Sequence, residues 1–287
     1  MADRVLIIGC GYVGFELAMG LQGPGVEVTG WVHTHSSAFS IQDLGLARII
    51  VGSVGDAAVW RAAGDDYAFV VHCASSRGGG EFAYDEVFRR GAERMTDYAK
   101  KARKLFVSST SVYGQVDGEV VTEESAAEPG TATGRILREA ERIALAGGAT
   151  VLRSSGIYGR GKYYGPGRGG LLDKLRRGEA VIEGDGARWM NQVHKCDLVA
   201  ALIHAREHAR PGEIYNATDD TPVTQRDYYT WCAQFLGVPL PPTGPVNTQR
   251  KRGLTNKRVS NAKLRATGWA PQYPSFREGI AANHSPK

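Results

Sequence analysis

The sequence predicts an α/β protein, with a doubly wound parallel sheet and a small, discontinuous second lobe toward the C-terminus. Three observations predict it. Short apolar runs alternate with stretches of helical periodicity. The first junction between run and helix is rich in glycine. After residue 156 the alternation gives way to irregular chain rich in Gly and Tyr.

Residues 5–8 are a continuous apolar run that stops at glycines, as buried parallel strands do. Residues 12–21 follow, with Val13, Leu17, Ala18 and Leu21 on one side of a helix. Strands are predicted at 26–32, 47–51 and 68–72, then a long polar-faced helix over 86–103. A fifth strand at 105–107, a helix at 135–145 and a sixth strand at 150–152 complete the alternation, which implies βαβ units. Beyond it the spacing predicts a short helix at 171–177, a helix at 193–206 entered through an extended piece, a strand at 213–217 and a helix at 225–236. Residues 1–156, rejoined by 191–218, are expected to form one unit, and 157–190 with 219–287 a smaller one.

The 287 residues are 42% apolar and 23% charged, an ordinary globular balance. The net charge of +5 is mild. Its one cluster is Arg250-Lys251-Arg252 with Lys257-Arg258, either a solvated loop or a site for an anionic group. No basic stripe or motif suggests nucleic acid. The cysteines Cys10, Cys73, Cys196 and Cys232 have neither metal-ligand nor disulfide spacing, so no metal is expected. No apolar stretch reaches the ~18 residues of a membrane span. A monomer or homodimer in a reducing cytoplasm is expected.

Gly9-Cys10-Gly11-Tyr12-Val13-Gly14 is G-x-G-x-x-G, placed after a strand and opening a helix. In that context Gly9 permits the tight turn, Gly11 lets backbone approach a pyrophosphate, and Gly14 lets helix pack on sheet. The reading is a Rossmann fold that binds a nicotinamide dinucleotide. NAD binders place Asp or Glu about 20 residues on, to hold the ribose 2′-hydroxyl. Here the segment is Gly30-Trp31-Val32-His33-Thr34-His35-Ser36-Ser37, without a carboxylate. His33, Thr34 and His35 can donate to a 2′-phosphate, which favours NADP over NAD. The other reading leaves His33 and His35 as surface loop.

Val107-Ser108-Ser109-Thr110-Ser111-Val112-Tyr113-Gly114, with the three glycines, resembles the extended short-chain dehydrogenase/reductases, the NAD-dependent epimerase/dehydratase superfamily. Leu152-Arg153, Gly156-Ile157-Tyr158-Gly159 and Asn191-Gln192-Val193-His194 resemble later family motifs, in order. Details at Thr133-Gly134-Arg135 and 257–274 are similar to an atypical NAD(P)H-binding subgroup. The resemblance implies a catalytic hydroxyl at Ser109. It implies cofactor contacts at Gly9, Gly11, Tyr12, Val13, Gly14, Ser53, Val54, Cys73, Ala74, Ser75, Ser108 and Ser155.

The family's chemistry uses Tyr-x-x-x-Lys on the helix after strand five. Residues 129–141 contain neither Tyr nor Lys. Alignment on Glu141 puts Thr133 at the Tyr position and Leu137 at the Lys position; an alignment one turn different gives Thr131 and Arg135. A Thr hydroxyl is a poor acid. Tyr113, Tyr158, Tyr163, Tyr164, His194 or water then remains as proton source, or the protein binds cofactor without turnover. Tyr113 and Tyr158 also read as packing residues, Tyr163 and Tyr164 as substrate walls, and His194 as a structural His. The Asp-Glu pair of the family's sugar dehydratases is replaced by Thr110-Ser111, and loss of the Tyr weakens the epimerase reading too.

Loops after strands four and six complete the reading. Ser76 and Arg77, beside Gly78-Gly79-Gly80, are expected near substrate, Arg77 as a clamp for carboxylate or phosphate. Tyr163, Tyr164 and Arg188 are expected to line the same cleft. The function expected is NAD(P)-dependent oxidoreduction of a small polar carbonyl, imine or sugar-nucleotide-like substrate. The alternatives are a non-catalytic NADP-binding regulator or scaffold, and a sugar-nucleotide epimerase.

Overall fold

The computed structural model describes residues 2–160, 170–248 and 254–284. In chain order the main elements are β1 (Asp3–Ile8), α1 (Gly14–Leu21), β2 (Val26–Val32), α2 (His35–Ile41), β3 (Arg48–Val51), α3 (Ala57–Ala63) and β4 (Phe69–His72). Then come α4 (Arg90–Tyr98), β5 (Arg103–Ser109), α5 (Ala132–Ala146), β6 (Thr150–Ser154), α6 (Lys195–His208), β7 (Ile214–Ala217) and α7 (Gln225–Leu236). The seven strands form one parallel sheet, ordered β7-β6-β5-β4-β1-β2-β3. The expected doubly wound α/β sheet is thus present.

Both faces of the sheet are buried. Val5 and Ile7 of β1 pack with Leu17 of α1 and Leu198 and Leu202 of α6. Leu6 and Ile8 face the opposite layer, with Trp60 of α3, Met95 of α4 and Leu137 of α5. Burial on both faces explains why β1 reads as a continuous apolar run rather than an alternation. Each such Leu or Ile contributes roughly 1.5–3 kcal/mol over an exposed one.

Several boundaries differ from the sequence reading. The helix predicted over 86–103 begins at Glu81–Tyr84, passes through a π-helical turn at Asp85–Arg89 and ends at Tyr98, because Arg103 opens β5. Helix α2, which the sequence reading did not anticipate, starts where the Thr34 hydroxyl accepts the Ser37 N–H. Helix α3, also unanticipated, is capped by Asp56. Helix α5 starts three residues before the prediction, because Thr131 accepts the Gly134 N–H.

Residues after β6 build a further cluster. Leu175, Ile182 and Met190 pack with Tyr228, Phe276 and Ile280, so the pieces on either side of α6 and β7 share one core. Arg258–Val259 pairs in parallel with Val120–Val121, and Gln192–His194 with Gly156–Tyr158. These ladders join residues 258–259 to the chain after β5, and residues 192–194 to the chain after β6. Among the described residues, no helix is long and apolar enough to cross a membrane.

Candidate cofactor and substrate site

The strand order reverses between β1 and β4, so a crevice opens beyond their carboxyl ends. The glycines there have distinct tasks. Gly9 has φ +90°, and a Cβ on it would lie 2.3 Å from the Ala74 Cα. A Cβ on Gly14 would lie 2.4 Å from the Gly9 carbonyl oxygen. Both are fixed by close backbone approach. Gly11 is different: among the described residues a Cβ there meets nothing within 4 Å. Among them the space beside it is open, and no side chain caps the first turn of α1, whose N-cap is Val13. An open approach to uncapped helix amides fits a dinucleotide pyrophosphate. The Cys73 thiol lies 3.5 Å from the Gly9 carbonyl oxygen, and Tyr12 donates to the Gly159 carbonyl at 2.6 Å. These contacts tie the cradle to β4 and to the chain after β6.

Beside the end of β2, His33, Thr34 and His35 are exposed, and Thr34 caps α2. Arg77, expected on substrate, has its guanidinium 3.3 Å from the Ser37 hydroxyl. The loop after β4 folds back toward β2, which carries Arg77 to the cofactor side of the crevice. Ser53 donates to Glu86 at 2.6 Å, and Val54 is buried with its carbonyl accepting the Trp60 indole N–H at 2.7 Å. The side chains of both expected cofactor residues at the end of β3 are therefore engaged within the protein.

Several further expectations are corrected by buried partners. Ser108 is buried and donates to Glu141 at 2.6 Å, so its hydroxyl is engaged within the protein. Tyr113 is fully buried and donates to the Asn216 side-chain oxygen at 2.9 Å, under the Arg153 guanidinium. Burial pushes its phenol pKa up. Tyr158 donates to the Ser275 carbonyl at 3.3 Å. Its pKa is also raised, by burial first and then by Asp219 and Asp197 nearby. His194 has both ring nitrogens engaged: Nδ1 accepts the Cys196 N–H at 3.3 Å, and Nε2 lies 3.0 Å from the Asn283 amide nitrogen. Burial lowers its pKa to about 4, so the ring is neutral at pH 7. These side chains thus have partners within the protein.

What stays near the carboxyl edge is mostly hydroxyl. Ser109 ends β5, half-buried, in register with Ser154, and its oxygen accepts the Ser111 N–H at 3.2 Å. Thr133 is half-buried in the first turn of α5. Ser155 follows β6 with a buried hydroxyl that has no partner among the described residues, and the Ser76 hydroxyl is in the same state. The Ser75 hydroxyl accepts the Arg77 N–H at 3.2 Å. Tyr163 and Tyr164 lie outside the described residues.

The basic cluster read in the sequence supplies one buried cation among the described residues. Lys257 is only 5% exposed, and its ammonium donates to the Thr255 hydroxyl at 2.5 Å. Burial, then the nearby Arg188 cation, lowers its pKa to about 8. Its carbonyl accepts from Asn191 at 2.9 Å, which joins the C-terminal segment to the chain before α6. The cluster was visible in the sequence, but nothing local marks Lys257 rather than Arg258 as the buried cation; Arg250, Lys251 and Arg252 lie outside the described residues.

The family model described as the NAD dependent epimerase/dehydratase family matches residues 5–218. Protein YeeZ of Escherichia coli K12 is 29% identical over 282 residues, which cover 94% of this chain and 96% of that protein. A 3-diazoavenalumate denitrifying reductase of a Streptomyces species is 30% identical over 206 residues, 63% of this chain and 65% of that one. Among solved structures, a dTDP-glucose 4,6-dehydratase of Bacillus anthracis in complex with NAD aligns with a TM-score of 0.82 at 19% identity, covering 98% of this chain and 95% of that one.

Proposed function

The chain belongs to the NAD dependent epimerase/dehydratase family, and we propose that it is an NADP-dependent oxidoreductase acting on a small polar carbonyl or imine compound. The observation that carries this reading is the open cradle at Gly11 on the same sheet edge as the Ser109 hydroxyl. The first turn of α1 would hold the pyrophosphate, and the missing carboxylate at the end of β2 leaves room for a 2′-phosphate. When bound, the nicotinamide supplies or takes a hydride.

The chain's own groups then bind and polarise the substrate. Because the Ser109 oxygen already accepts the Ser111 N–H, its proton is left to donate. Such a donor aimed at a substrate oxygen or nitrogen stabilises the charge that develops there. Lys257 and Arg188 add positive charge, which favours a substrate with an anionic group. Similarity to a reductase supports reduction over epimerisation. Thr110 and Ser111, where sugar dehydratases carry an acid pair, argue against water elimination.

A second reading is a cofactor-binding regulator without turnover, favoured by the lack of Tyr and Lys over residues 129–141. Steady NADPH oxidation with a panel of carbonyl and imine acids decides between them. Turnover that falls with Ser109→Ala supports the enzyme. Tight NADPH binding with no turnover on the panel supports the regulator.

A further inference from the structure

We infer that Arg77, carried by the glycine loop after β4, selects the cofactor by clamping a ribose 2′-phosphate against Ser37 and Thr34 at the end of β2. This rests on the NADP reading above and assigns its specificity to one residue.

The geometry begins with the loop. Arg77 is the one non-glycine among the described residues with positive φ, at 52°, and Gly78 follows at 78°. Left-handed backbone at an Arg is uncommon. The N–H of Arg77 donates to Ser75 and the N–H of Gly79 to the Ser76 carbonyl, which fixes the reversal. The side chain thereby crosses from the end of β4 to the end of β2, where its Nη2 meets the Ser37 hydroxyl at 3.3 Å. Ser37 is itself 3.0 Å from the Thr34 hydroxyl. An exposed guanidinium and two hydroxyls are thus gathered at one place.

The place is the relevant one. In a sheet of this order the adenosine ribose lies beyond β2, one strand from the pyrophosphate cradle. Residues 30–41 and 72–80 contain no Asp or Glu, so nothing there repels a dianion or hydrogen-bonds a free 2′-hydroxyl as a carboxylate would. Guanidinium matches phosphate geometry with paired donors.

Four ligands test this by calorimetry or fluorescence: 2′,5′-ADP, ADP, NADPH and NADH, each with the wild type, Arg77→Gln and Arg77→Lys. The expected result is that the wild type prefers 2′,5′-ADP over ADP and NADPH over NADH. Arg77→Gln then weakens the 2′-phosphate ligands about 10- to 100-fold, the range for a charge-assisted hydrogen bond. ADP and NADH stay within about twofold, which also reports an intact fold, and Arg77→Lys retains part of the preference. If the wild type prefers NADPH and Arg77→Gln keeps that preference, the role of Arg77 is overturned and the NADP reading stands. If the wild type binds NADH more tightly, both are overturned.

Discussion

Arg153 closes on Glu141 with two parallel hydrogen bonds, Nε to Oε1 at 2.9 Å and Nη2 to Oε2 at 2.7 Å, and both side chains are essentially inaccessible to solvent. The pair fastens α5 to β6. It also explains why two expected site residues are unavailable: Ser108 donates to the same carboxylate, and Tyr113 lies beneath the same guanidinium.

Glu141→Gln is therefore expected to destabilise the fold by about 3–5 kcal/mol, because it leaves a buried Arg without its counter-charge. Urea denaturation measures it. A loss below about 1 kcal/mol would show that the pair does not hold the helix to the sheet.

Two glycine variants separate fold from binding. Gly9→Ala must push its Cβ into Ala74 at a positive φ, so it lowers the thermal midpoint sharply. Gly11→Ala meets no described atom within 4 Å and leaves the midpoint nearly unchanged. Its methyl occupies the space offered to the pyrophosphate, so NADPH affinity falls at least about tenfold, ~1.4 kcal/mol. Normal NADPH binding by Gly11→Ala would remove the cradle from the binding site.

Ser109→Ala and Tyr113→Phe should behave oppositely. The first removes the donor at the end of β5 and lowers kcat about 10²-fold, with NADPH affinity unchanged. The second leaves the Asn216 side-chain oxygen without its phenol donor and costs about 1–3 kcal/mol of stability, with kcat retained. Parallel kinetics and melting curves check both. A large kcat loss in Tyr113→Phe with full stability would restore Tyr113 as the acid.

Lys257 makes stability depend on pH. Its pKa is lowered from an ordinary 10.5 to about 8, so between those values the unfolded chain binds the proton and the folded one does not. Wild-type stability from this group rises from pH 8 to 10.5 and is lost as pH falls through 8. Lys257→Met is expected to be more stable than the wild type at pH 7, by at most about 3 kcal/mol, with the gap closing toward pH 10. Thermal melts at pH 7, 8.5 and 10 test the sign. A gap that widens with pH contradicts the burial argument.

Much of the fold was legible because its signals are local. A strand buried on both faces must be a continuous apolar run, and residues 5–8 are one. A helix that starts at a strand end needs glycine where backbones touch, and Gly9 and Gly14 carry that requirement in the sequence itself. The starts of α2 and α5 were legible only in part. Thr34 and Thr131 are ordinary capping residues, but no strong apolar period followed Thr34.

By itself, the sequence determined the layered α/β architecture, the glycine cradle and the lack of a Tyr-Lys pair, since each depends on neighbours within a few positions. Tertiary structure alone decided which polar side chains remain available to a ligand. Tyr113 meets Asn216 across 103 positions, Arg77 reaches Ser37 across 40, and Lys257 becomes buried near Arg188. Sheet order and lobe packing bring those partners together, and desolvation then sets which groups stay neutral and which keep their charge.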